Sequence, residues 1–290
     1  MDMLREIAPQ VWHFQPTLPS PRHFAIVAGL HGDETGPVEV LRELSVASHS
    51  FWDTCPHQVT LLLANPGAIA YGHRNAKDGS DFNRSFGANP PTFEAETERI
   101  KLIKAHLTGV EALLDLHQTH LPIAPCAVCP PQEEHLRLAR RVGAHQAVTG
   151  AQSAFLGGML IDWANRRGIL ALTLETGQIG DPRSKEVALA AIKALVFEEP
   201  TPSPNFQVWT LVEPLRAKAE GYRWTQDWEN GSRVSPGTVI ATSMRGELCA
   251  TVEGALFLPK LGVSAGEVCV LQAVLHSRQS TSTRSHIPPT

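Results

Sequence analysis

Apolar positions along the first two-thirds of the chain alternate between two rhythms. Short leucine- and valine-rich runs are each followed by a longer stretch with helical spacing. Residues 24–30 (FAIVAGL), 59–64 (VTLLLA), 110–116 (VEALLDL) and 169–174 (ILALTL) read as buried strands. Residues 37–47, 93–107, 132–142, 157–165 and 184–197 read as helices. The stretch 93–107 is acidic at its start and basic at its end, the order that a helix dipole favours. Unbroken apolar strands interleaved with helices predict an α/β fold, a mainly parallel mixed sheet flanked by helices.

The rhythm changes at EEPTPSPN, which carries three prolines. We place a linker at 199–205, after a catalytic domain at 1–198. The runs FQVWTL, GTVIATS, ELCATV and EVCVLQAV then predict a small C-terminal all-β domain at 206–276, in the role of a lid or pocket wall. The polar tail 277–290 reads as disordered.

Composition narrows the function. With 42% hydrophobic and 19% charged residues, the chain has the balance of an ordinary soluble globular protein. A net charge of -4 gives no basic field for nucleic acid or an anionic membrane surface. No run approaches the roughly 18 apolar residues of a membrane span. The N-terminal stretch has Asp2, Arg5 and Glu6 where a signal peptide needs apolar residues. Five scattered cysteines do not form a disulfide framework, which points to a cytoplasmic protein. Homo-oligomerisation is left open.

The candidate chemistry sits at strand ends. His31 and Glu34 lie three residues apart in GLHGDET, directly after the first run. Glycines flanking His31 let the backbone turn there. Catalytic zinc sites use three protein donors and keep one position open. The third donor is expected at the end of another strand, where open α/β sheets build their sites. His117 in LLDLHQTH stands there, with His120 as its rival. Imidazoles more than about 8 Å apart could not share an ion whose ligand bonds run near 2 Å. Glu175, in LTLETG, ends the fourth strand; a carboxylate there needs a partner or a task, and a general base is one such task. In SDFNRSFG, Asn83 and Arg84 pair an amide with a guanidinium, a combination suited to a carboxylate. A structural pairing of Arg84 with Asp81 is the alternative. Arg166 and Arg167 read as a solvated helix end, and Cys126 and Cys129 as buried small residues, because no second CxxC completes a zinc site.

Taken together, GLHGDET, NPGAIAYGHRN with SDFNRSFG, LLDLHQTH and LTLETG resemble the aspartoacylase and succinylglutamate desuccinylase family, relatives of zinc carboxypeptidases. The four blocks occur in the family's order across residues 24–177. The resemblance implies a zinc carboxypeptidase-like fold with one zinc ion held by His31, Glu34 and His117. It implies Glu175 as general base, Arg74 polarising the scissile carbonyl, and Asn83 with Arg84 binding a substrate carboxylate. The expected activity is hydrolysis of a small N-acyl amino acid. A zinc carboxypeptidase acting on small peptides shares every part, and a metal-binding protein without turnover is the non-enzymatic alternative.

Overall fold

The structure is a computed structural model that describes residues 3–18, 20, 22–46, 50–88, 91, 93–151, 157–199, 205–260, 266 and 268–275. Its centre is a twelve-stranded mixed sheet. Four strands run parallel in the middle: β4 (Gln58–Leu63), β3 (His23–Ala28), β5 (Ala112–Thr119) and β8 (Leu170–Gln178). These are the four apolar runs seen in the sequence, with β5 and β8 extending further into the polar residues after them. An antiparallel hairpin, β1 (Met3–Ala8) and β2 (Val11–Gln15), adds to the outer side of β4.

Beyond β8 come β6 (Cys126–Val128), antiparallel to it, and β7 (Gln146–Thr149), parallel to β6. The sheet then continues without a break into the C-terminal region. There β9 (Gln207–Arg216) pairs parallel with β7, followed by β15 (Val268–Leu275), β14 (Gly254–Phe257) and β11 (Arg233–Val234). Three further strands, β10 (Arg223–Trp224), β12 (Val239–Ser243) and β13 (Gly246–Cys249), form a separate small sheet. Most of the linker, 200–204, and the tail 277–290 lie outside the described residues.

Helices cover both faces of the sheet, as continuous apolar strands require. On one face, α1 (Thr35–Leu44), α4 (Glu133–Arg141) and α6 (Arg183–Val196) pack Leu41, Leu138 and Ile192 onto Phe24, Ile26, Leu114 and Leu172. On the other, α3 (Glu94–His106) and α5 (Leu160–Asn165) pack Ile100, Ile103 and Leu160 onto Ala25, Val27, Leu113 and Ala171. The predicted helix at 157–165 starts three residues later than expected, because Gly157 takes a left-handed turn at φ +66. One helix is new. In α2 (Pro66–Tyr71) the NPG sequence initiates a helix instead of a plain turn, with Asn65 capping it by accepting from the Ala68 N–H at 3.1 Å.

Candidate active site and metal centre

The parallel strands bring their carboxyl ends to one place. His117 and Glu175 are direct neighbours across β5 and β8, on the same face of the sheet as Asp115 and Thr173. The loop leaving β3 delivers His31 and Glu34 to that place. Gly29 begins the loop in a left-handed conformation, φ +71. Gly32 lies so close to α2 that a Cβ there would fall 2.0 Å from the backbone of Ala68. Its N–H donates to the His73 carbonyl at 3.0 Å. This close seat fixes the loop, and Glu34 stands at the residue before α1 with its carboxylate turned to the histidines rather than capping the helix.

His31 and His117 both turn Nδ1 towards the Glu34 carboxylate, at 2.6 and 2.8 Å, with ring centroids 4.9 Å apart. All three side chains are buried, and their ligand atoms lie within 4.8 Å of one another. The spacing is therefore well inside the limit for sharing an ion. Each imidazole keeps a carboxylate behind it: Asp115 Oδ2 lies 3.1 Å from His117 Nε2, and Asp81 Oδ1 lies 3.3 Å from His31 Nε2. Such outer carboxylates fix the tautomer, leaving Nδ1 to face inward as a donor. Two imidazoles, each braced from outside, and a carboxylate make a donor set that suits a divalent cation of zinc's type. His120 is no part of it. Its side chain is 59% exposed, and its near contact is Asp33 at 3.8 Å.

The electrostatics follow from this packing. Burial alone would raise Glu34, but the adjacent His117 and His31 pull it below the usual carboxylate range. Burial would lower His117, and Asp115 and Glu34 outweigh it and raise it. Glu175 is different. Its burial dominates and pushes the carboxyl up to about 7, and its buried Oε2 has no hydrogen-bond partner.

Arg74, Asn83 and Arg84 line the same cleft, which has a volume of about 120 Å³. Arg74 pairs with Asp81 at 2.8 Å and stands 3.9 Å from Glu34. Asn83 accepts from the Leu160 N–H at 2.9 Å and points Nδ2 towards His117. Arg84 donates to the Asn83 carbonyl at 2.8 Å. Burial lowers its guanidinium below the usual value, opposed by Asp81 and Asp162.

Residues 20–196 match the family model described as the succinylglutamate desuccinylase/aspartoacylase catalytic domain. The chain belongs to this family. Among desuccinylase relatives, the succinylglutamate desuccinylase of Serratia proteamaculans is 26% identical over 244 residues, covering 73% of this chain and 72% of the relative. Among solved structures, the succinylglutamate desuccinylase of Vibrio cholerae superposes with a TM-score of 0.76 at 18% identity, covering 94% of this chain and 88% of that one. The product-bound ectoine utilization protein EutE (DoeB) of Ruegeria pomeroyi gives 0.71 at 18%, covering 91% and 88%. The family match shows a deacylase family, and the solved structures show its fold.

Within the family fold, sequence reasoning missed two parts of the site. Asp115 precedes His117 by two residues, and that strand period alone puts both on one face. Asp81 appeared only as a partner for Arg84, whereas it bridges Arg74 and His31. Arg166 and Arg167 lie exposed away from the cleft, with Arg167 stacked over Trp163. Cys126 packs in a cluster with Trp209 and Phe257, while Cys129 joins the cluster on the opposite face with Leu138. Alternation along the strand thus separates the two thiols.

Proposed function

We propose that this chain is a zinc-dependent amidohydrolase that removes the acyl group from a small N-acyl amino acid. The observation that carries the reading is the convergence of His31, Glu34 and His117 beside a buried carboxylate, Glu175, that has an unpartnered oxygen. A zinc ion held by the three would supply a Lewis acid for the scissile carbonyl and bring water's pKa down to about 7. Glu175, raised to about 7 by burial, would take a proton from the attacking water and return it to the leaving nitrogen. Arg74, anchored by Asp81, faces the carbonyl oxygen as negative charge develops on it. Asn83 and Arg84 hold the substrate carboxylate. The name of the Serratia relative favours an acyl amino acid over a peptide as substrate.

The test removes and restores the metal. Chelation is expected to abolish release of acetate or succinate from N-acyl amino acids, and added zinc to restore it. In the same assay, Glu175→Gln is expected to keep one zinc per chain by elemental analysis while losing about 10²–10⁴-fold in kcat. Loss of zinc from that variant, or release of amino acids from dipeptides in place of deacylation, contradicts the reading.

A further inference from the structure

The cleft that holds the His–Glu–His cluster also has an apolar wall, which the proposed mechanism does not use. Leu121, Val128, Met159, Leu258, Val268 and Leu271 line it. The neutral polar side chains among them are committed to the protein. Gln118 accepts from the Gly36 N–H at 2.8 Å and donates to the Gln178 carbonyl at 3.0 Å and to Ser184 Oγ at 2.6 Å. Thr119 donates to the Leu121 carbonyl at 2.6 Å, and Thr173 donates to Asp115 at 3.1 Å. A second carboxylate on the substrate would shed its water against this wall and meet few donors in return. Besides Arg74 and Arg84, the same cleft is lined by the exposed His120 and the half-buried Lys260.

One leucine of the wall is held in a costly way. Leu258 has φ +52, a left-handed backbone that L residues with a bulky side chain rarely adopt. Asn230 fixes it there, accepting from the Leu258 N–H at 2.7 Å. The same amide donates to the Pro122 carbonyl at 3.0 Å, in the segment between β5 and β6. Asn230 therefore clips the C-terminal strands to the catalytic side of the cleft and presents Leu258 to it.

We propose that this wall receives an apolar group of the substrate, so that the chain prefers N-acyl amino acids bearing a hydrophobic side chain or acyl chain, with Leu258 as a specificity-determining residue and Asn230 as its positioning residue. This rests on the amidohydrolase reading of the neighbouring cluster.

The test separates binding from turnover. Zinc-loaded Glu175→Gln is titrated calorimetrically with N-acetylleucine, N-acetylphenylalanine, N-hexanoylglycine, N-acetylaspartate and N-succinylglutamate, and the wild type is assayed on the same panel. At least one apolar ligand is expected to bind tenfold or more tightly than either acidic one; the first two against the third tell whether the side chain or the acyl chain fills the wall. Leu258→Asn, which tolerates the backbone, is expected to erase most of that ratio, and Asn230→Ala to reduce it while zinc content stays constant. Equal or tighter binding of the acidic ligands, or no binding by any, overturns the inference, even if the wild type hydrolyses them. Apolar preference in binding without turnover of any panel member would instead count against the amidohydrolase reading.

Discussion

At the scale of single residues, the site depends on carboxylates placed behind the inward-facing groups. Asp115 is fully buried, accepts from Thr173 and holds His117 through Nε2, an arrangement that leaves Nδ1 turned inward towards Glu34. Asp115→Asn should weaken zinc binding by about 10–100-fold. A competition titration against a chromogenic chelator would measure this, with circular dichroism to establish that the variant is folded. An unchanged affinity would mean that His117 is oriented by its packing alone. The sequence displayed the inward-facing residues clearly, because His31, Glu34, His117 and Glu175 each stand where an apolar run stops. It did not display the braces. Asp81 lies fifty positions from His31 and Asp115 inside an apolar strand, and only the folded chain makes either one a neighbour of an imidazole.

At the scale of elements, geometry at one glycine governs the loop that carries two of the three proposed donors. A methyl group at Gly32 would meet main-chain atoms of α2, which have no flexible end to move aside. Gly32→Ala is therefore expected to displace the loop, lowering the melting temperature and abolishing stoichiometric zinc binding, both readable by calorimetry and elemental analysis. A variant that binds zinc normally would show that α2 yields. The long, strongly apolar elements were legible to within a few residues, since burial on both faces leaves little choice of residue. The short ones were not. β6 and β7, of three and four residues, exist because β8 and β9 offer edges to pair with, and nothing local to CAV or QAVT demands a strand. The β1–β2 hairpin escaped notice for a related reason: its outer strand is mixed and partly exposed, so its pattern is weak.

At the scale of the whole molecule, a histidine pair across β2, β4 and β3 contributes to how stability responds to acid. His13 and His23 share the Thr60 hydroxyl at 3.2 and 2.8 Å. Burial pushes His23 down to about 4, with His13 adding repulsion, and burial lowers His13 as well. The folded chain thus favours neutral rings, whereas the unfolded chain takes up protons near pH 6.5. This contribution to stability is complete above that pH and is lost as the pH falls towards 4. The melting temperature should drop across that window, and His23→Gln, which can keep a bond to Thr60, should flatten the drop. An identical slope in the variant would assign the acid sensitivity to other groups.

The parallel seam between β7 and β9 carries one more consequence. A chain cut before residue 206 would uncover the backbone of β7 along its whole length and strip Trp209 and Phe257 from Cys126 and Val148. Bare strand edges beside an apolar face are templates for intermolecular pairing. Such a fragment would retain every proposed metal donor yet be prone to self-association, so the C-terminal strands cover an exposed sheet edge as well as bounding the cleft.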